Sequence, residues 1–273
     1  MDAGLGGQRH PEHDRLVRAV RRWYTSSYPA MGYHTERRHC GYYTVNPRIP
    51  GGLASRVVLR DVAPEQLPAC LADARRYFGD APAAVVVDDR EVDARLGPAL
   101  LAAGCASGGT LVYLAHVGPL PRAPAVPGLT IEPVDEANLR DYCVTKRKAF
   151  AGDEAEPPAE AVETELAFRR AEMPGEGRFL LARLDGEPAA IVAWYEGRDR
   201  SLFLLATRAP FRGRGIARWL LGHVLADAEA RGCRSVIINA DPDDTPAQFY
   251  RRLGFVDEVG WQRRYALPPS GKG

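Results

Sequence analysis

Lysine is nearly absent from this chain. Only Lys146, Lys148 and Lys272 occur, so 33 of the 36 basic residues are arginine. With abundant Ala, Gly and Pro, that pattern reads as a GC-rich coding bias and not as a recognition surface. An excess of one charge is lacking too: 36 basic and 35 acidic residues leave a net charge of +1. No overall field therefore draws the chain to nucleic acid or to an anionic membrane. No apolar run approaches the roughly 20 residues needed to span a bilayer. The opening Met1-Asp2-Ala3-Gly4-Leu5-Gly6-Gly7 turns polar at once, which reads as no signal peptide and a cytoplasmic location. The cysteines Cys40, Cys70, Cys105, Cys143 and Cys233 are odd in number, and no pair has the close spacing of a zinc site or redox dithiol. Most are expected to be small buried apolar residues in a reducing compartment. His34 and His39 are read as lacking carboxylate or Cys companions, and no metal is expected.

What is present is an ordinary globular composition, 45% hydrophobic and 26% charged, over a length of 273 residues that suits two domains. The run from Pro119 to Gly128 carries four prolines in ten residues. It cannot sit inside a helix or a central strand, so it reads as a linker. The expected division is an N-terminal domain over 1–118, the linker over 119–128, a C-terminal domain over 129–267 and a flexible tail over 268–273. The C-terminal half reads βααβββαβαβ, a mixed-sheet α/β fold. Asp135 looks like the N-cap of its first helix. Asp185-Gly186 marks a hairpin, and Ile216, Leu220, Leu221, Val224, Leu225 and Ala228 form one apolar stripe at helical spacing. Trp261 to Leu267 is expected to complete the sheet. The N-terminal half carries a fainter version of the same ending: Leu71 to Arg76 resembles Leu225 to Ala230, and a β-like run, an acidic turn, a helix and an apolar strand follow each. This reads as a degenerate internal repeat, and its first copy has no glycine-rich loop.

The segment Arg212-Gly213-Arg214-Gly215-Ile216-Ala217 follows a strand and opens directly into a helix. A helix start leaves backbone N–H groups without intrahelical partners, and the macrodipole adds partial positive charge there. Gly213 and Gly215 remove side chains that would keep a phosphate away, while Arg212 and Arg214 add charged donors. The segment lacks the Gly-Lys-Ser/Thr ending of an NTP-binding loop and has no βαβ unit of the dinucleotide-binding kind around it. Residues 212–217 match the Gln/Arg-x-x-Gly-x-Gly/Ala signature of the GCN5-related N-acetyltransferases. Gln248-Phe249-Tyr250-Arg251-Arg252-Leu253-Gly254-Phe255 resembles that family's Leu-Tyr-x-x-Leu-Gly-Phe segment.

The resemblance covers about residues 129–267 and implies a tandem architecture, with a functional C-terminal domain of this family and a degenerate N-terminal one. It also implies acetyl-CoA or another acyl-CoA as donor. The backbone of Leu205, Ala206 and Thr207 would then pair with the pantetheine arm. The N–H groups from Gly213 through Ile216 to Ala217 would hold the pyrophosphate, and Tyr250 would be a general acid for the departing thiolate. One departure is that Asp243 stands where the family usually has an Asn, with Pro246 in place of a common Ala.

Direct attack by an amine on a thioester needs a proton acceptor and an oxyanion donor. The backbone N–H near Ala206 is the candidate donor, and Glu196 and Asp199 are base candidates whose plainer reading is as solvated turn residues. Asp153 and Glu154 open an acidic loop placed to attract a cationic amine or simply to solubilise. The aromatic run from Trp23 through Tyr28 and Tyr33 to Tyr43 reads as a helix packing on its own sheet, or as a pocket wall. The function expected is acyl transfer, with acetyl the expected group, to a small-molecule amine in a ternary complex, without nucleic acid, membrane or metal. A donor held on a carrier protein's pantetheine arm and a non-catalytic acyl-CoA sensor are the alternatives.

Overall fold

Local chemistry accounts for the elements, and long-range pairing accounts for how they group. In the computed structural model, residues 9–25, 33–47, 55–118, 123–173 and 177–269 are described. Tyr28, linker residues 119–122 and tail residues 270–273 lie outside them. The chain divides into two compact units: the first contains residues 1–114, 239–252 and 256–273, the second residues 115–238 and 253–255. These units are not the two linear halves, because the end of the chain groups with the first unit.

The first unit contains α1 (His13–Thr25), β1 (His34–Arg38), β2 (Gly41–Val45), β3 (Arg56–Leu59), α2 (Leu67–Phe78), β4 (Ala84–Val87), α3 (Arg90–Ala102) and β5 (Ala106–His116, to Leu114). Near the C-terminus the chain adds α7 (Thr245–Arg252) and most of β11 (Phe255–Ala266). Asp89 caps α3, its carboxylate accepting from the N–H groups of Glu91 and Val92 at 2.9 and 3.2 Å. In-unit strand order is β1-β2-β3-β4-β11-β5. β3 and β4 run parallel, and β11 lies antiparallel to β4 with Arg263 opposite Val87 and Tyr265 opposite Val85. The final strand thus completes the sheet of the first unit. Tyr265 and Leu267 enter a core with Tyr43, Val57, Leu71, Phe78, Val85 and Leu100. In α3 the Asp93 carboxylate accepts from the Tyr265 hydroxyl at 2.6 Å and from Arg263 at 3.1 Å. Alternating hydrophobicity announces a strand here but says nothing of its partner.

The second unit contains β6 (Leu129–Pro133), α4 (Leu139–Ala151), α5 (Ala159–Glu172), β7 (Gly177–Leu184), β8 (Glu187–Tyr195), β9 (Asp199–Thr207), α6 (Ile216–Ala230) and β10 (Ser235–Ala240, to Ile238). Strand order is β10-β9-β8-β7-β6, and the element order of the C-terminal half is the βααβββαβαβ read from the sequence. Asp185 and Gly186 both take positive φ, 52° and 87°, as a two-residue primed turn between β7 and β8 requires. The helix α4 starts later than Asp135 suggests. Asp135 and Asn138 cap each other's turn: Oδ1 of Asp135 accepts from the N–H of Ala137 at 2.9 Å, and Oδ1 of Asn138 from the N–H of Asp135 at 2.9 Å. That local bonding holds the backbone out of the helix until Leu139, leaving Asn138 at the N-cap position. Leu139, Tyr142 and Cys143 of α4 pack with Leu166 of α5, Phe179 and Leu181 of β7, Ile191 of β8 and Leu204 of β9. Among the described residues, no helix is long and apolar enough to cross a membrane.

Candidate active site

The site is built on one strand that changes partners halfway along. β9 pairs parallel with β10 from Asp199 opposite Ser235 to Leu202 opposite Ile238, and the register ends there. On its other side β9 stays antiparallel to β8 up to Thr207 opposite Ala190. That pairing steps from Leu202 opposite Trp194 to Leu204 opposite Ala193, so Phe203 is an extra, bulged residue. A bulge bends its strand and raises the local twist. Bulge and parting coincide, and no described strand pairs with the β10-facing side of β9 beyond Leu202. Leu205, Ala206 and Thr207, the residues expected to meet a pantetheine arm, lie on this edge. The hydroxyl oxygen of Thr207 is buried without a hydrogen-bond partner.

The strand runs through a short 3-10 turn, Ala209–Phe211, into the glycine loop. Gly213 and Gly215 have φ of 77° and 81°, a region that favours glycine. A Cβ on Gly213 would meet nothing within 4 Å, and one on Gly215 only the Val126 side chain at 3.9 Å. The two glycines therefore serve backbone conformation and an open approach, not relief of crowding within the protein. Gly215 is the N-cap of α6 and, having no side chain, provides no cap to the N–H groups at the helix start. A helix start without a side-chain cap, following an open strand edge, fits a ligand that is anionic at one end and amide-bearing along its length.

The arginines divide the work differently from the sequence expectation. The Arg212 guanidinium donates to the carbonyls of Thr207 at 3.1 Å and Ala149 at 2.8 Å, tying the loop to the ends of β9 and α4. Arg214 is exposed and lies with its guanidinium 5.7 Å from the Phe211 ring centroid. Arg208, which sequence reasoning passed over, pairs with Glu154 and also donates to the Pro188 carbonyl. Glu154 is thereby held below the usual carboxylate range, chiefly by its hydrogen bond from Arg208, and stays ionised. One of its oxygens thus pairs within the protein, while Oε1 is buried without a hydrogen-bond partner. Asp153 instead lines a cavity of about 610 Å³ with Lys146, Arg147, Lys148, Phe150 and Glu165.

Glu196 sits beyond the far end of β9 from the glycine loop. One oxygen accepts from the Trp194 indole N–H at 3.1 Å and the other from Arg200 at 3.0 Å. Arg200 is fully buried, also donates to the Val224 carbonyl at 2.8 Å and pairs with Asp227. Asp199 accepts from the Ser235 hydroxyl at 2.7 Å. Glu196 is thus engaged beside the β8–β9 turn, and Asp199 in joining β9 to β10. Buried Arg200 has no local sequence signal beyond a charge at an inward strand position.

Tyr250 lies on α7, in the segment that groups with the first unit, and is 6% exposed. Burial pushes its phenol well above the ordinary tyrosine range, so the proton stays on. The cysteine reading also changes. Cys40 and Cys70, 30 residues apart, pair as a disulfide, while Cys105 and Cys143 are free and buried and Cys233 is free and partly exposed.

Strand β9 bulges at Phe203, leaves β10 after Leu202 and feeds a glycine loop at the start of α6. Residues 146–255 match the model of the acetyltransferase (GNAT) family. Solved structures share the fold over nearly the whole chain. A GCN5-related N-acetyltransferase from Kribbella flavida is 17% identical with a TM-score of 0.62, covering 97% of this chain and 98% of that one. A conserved protein of unknown function from Staphylococcus epidermidis is 15% identical with a TM-score of 0.68, covering 86% and 94%. A tandem GNAT protein from the clavulanic acid biosynthesis pathway is 13% identical with a TM-score of 0.55, covering 93% and 88%.

Proposed function

We propose that this protein transfers an acetyl group from acetyl-CoA to the amine of a small molecule by direct attack in a ternary complex. The observation that carries the reading is the coincidence of the Phe203 bulge with the end of β9–β10 pairing, on the strand that leads into Gly213 and Gly215. The bound donor would supply a thioester carbonyl; the rest is work for residues of this chain. The N–H groups from Gly213 to Ala217 cradle the pyrophosphate, with the helix dipole adding to their attraction. The freed edge at Leu205 to Thr207 pairs with the amides of the pantetheine arm as a neighbouring strand would. The backbone N–H near Ala206 faces developing negative charge on the carbonyl oxygen, and the family resemblance gives Tyr250 the role of general acid for the departing sulfur. Asp153 faces the acceptor from the cavity beside α4, while Arg212, Arg208 and Glu154 hold the loop.

The first unit supports one donor site per chain. There β3 and β4 form the corresponding parallel pair, but Arg60 and Asp88 clamp the strands by an ion pair just beyond the register. The turn after β3 carries Asp61 and Glu65 in place of glycines, and its acidic side chains would repel a pyrophosphate. We read this unit as the worn copy, without a donor site of its own.

Isothermal titration with CoA, together with thiol release from acetyl-CoA against a panel of amines, tests the reading. Wild type is expected to bind CoA, and Gly215→Glu to weaken binding at least tenfold, because a carboxylate enters the cradle at a backbone conformation that disfavours side chains. Binding that survives Gly215→Glu unchanged would refute the site. CoA binding without thiol release for any amine would point to a sensor, and release only from a carrier-bound thioester to the other donor.

A further inference from the structure

The first unit holds a cluster that acyl transfer does not use. His39 and Cys40 form the two-residue turn between β1 and β2, since Arg38 pairs with Gly41. Gly41 has a φ of 140°, and a Cβ there would fall 2.0 Å from the Val58 carbonyl oxygen, so the turn is pressed onto β3 in a position only glycine allows. Cys70 lies near the start of α2, facing that turn. One ligand atom each from His39, Cys40 and Cys70 lie within 4.8 Å of one another, with both sulfurs buried and the imidazole exposed. Asp73, on the same face of α2 as Cys70, accepts from Arg38 through both oxygens at 3.2 Å. That contact fixes the residue next to His39 and so aims the turn at the helix.

We propose that His39, Cys40 and Cys70 form a redox-gated zinc site, closed as the disulfide and competent when the two sulfurs are reduced. Two thiolates and an imidazole are the donor set zinc prefers, and three protein ligands leave the fourth tetrahedral position to water on the exposed His39 side. The Cα atoms of Cys40 and Cys70 are 5.5 Å apart, so rotation of the side chains alone can separate the sulfurs around an ion. Cys70 near a helix start has its thiolate favoured by the dipole. An external dithiol supplies the two electrons and two protons that break the S–S bond, leaving as its own cyclic disulfide. Zinc binding then replaces both thiol protons, which go to solvent.

The test reduces the full chain with a dithiol, removes the dithiol under argon and titrates Co2+ as a spectroscopic stand-in, followed by Zn2+. One Co2+ per chain is expected, with thiolate-to-cobalt charge-transfer absorbance that Zn2+ abolishes, and with no such absorbance before reduction. His39→Ala, a change at an exposed position, should weaken Co2+ affinity at least about tenfold, since even outer partners of metal ligands are worth 10–100-fold. Cys233→Ser should leave the absorbance in place. The proposal is overturned if no charge-transfer band forms, if the band is unchanged in His39→Ala, or if it is lost in Cys233→Ser. It is equally overturned if circular dichroism shows that reduction unfolds the chain, because the pair would then be structural alone.

Discussion

At the scale of single residues, the acid assignment carries the sharpest consequence. Burial raises the Tyr250 phenol above its ordinary value, whereas a free thiol titrates near about 8.5. Full proton transfer from this phenol to a departing thiolate would run uphill, so in the proposed reaction Tyr250 would act by donating a hydrogen bond as the C–S bond breaks. Tyr250→Phe should therefore lower kcat by roughly ten- to a hundredfold, at or below the 10²–10⁴ range of general acids, with CoA affinity by titration unchanged. A matched loss of affinity would reassign the residue to donor binding. The same burial fixes a sign for pH. The phenol is protonated below its raised pKa, so kcat should not fall between pH 7 and about 9.5, a range that ends below even an ordinary tyrosine. An alkaline decline inside that window, absent in Tyr250→Phe, would contradict the assignment. Glu196, a base candidate for its place near the strand ends, accepts from Trp194 and Arg200 with its two oxygens.

At the scale of elements, a carboxylate joins β11 to α3. Asp93 is buried and holds both Tyr265 and Arg263, so removing it strands a buried hydroxyl and loosens the last strand. Asp93→Ala should cost about 2–3 kcal/mol, from a lost charged hydrogen bond and an unsatisfied partner, read as a lower urea midpoint at unchanged slope. A midpoint within error of wild type would mean that β11 does not depend on this contact. The bulge at Phe203 was beyond sequence reading for a related reason. The apolar run Leu202-Phe203-Leu204-Leu205 shows a strand, yet nothing in it marks which residue is left out of register, because that depends on how β8 and β10 compete for the two edges. The hairpin at Asp185-Gly186 needed no such competition and was legible from two residues.

At the scale of the whole molecule, the two compact units do not coincide with the linear halves. A fragment of residues 1–118 lacks β11, which lies between β4 and β5 and contributes Tyr265 to the core of its unit. It should be insoluble or give an unfolded spectrum by circular dichroism, and adding a peptide spanning 239–273 should restore structure. A fragment that folds cooperatively without that peptide would show the strand to be an accessory. The sequence by itself determined what local chemistry encodes: the element order of the C-terminal half, the glycine loop at a helix start and the Tyr250 segment. Each rests on residues within one turn or one strand of one another. Tertiary structure alone decided where β9 leaves β10, where the last strand pairs, which carboxylates are neutralised by Arg200 and Arg208, and that His39 meets two cysteines. Those outcomes depend on which distant segments share an edge or a buried face, and a linear pattern of side chains does not carry that information.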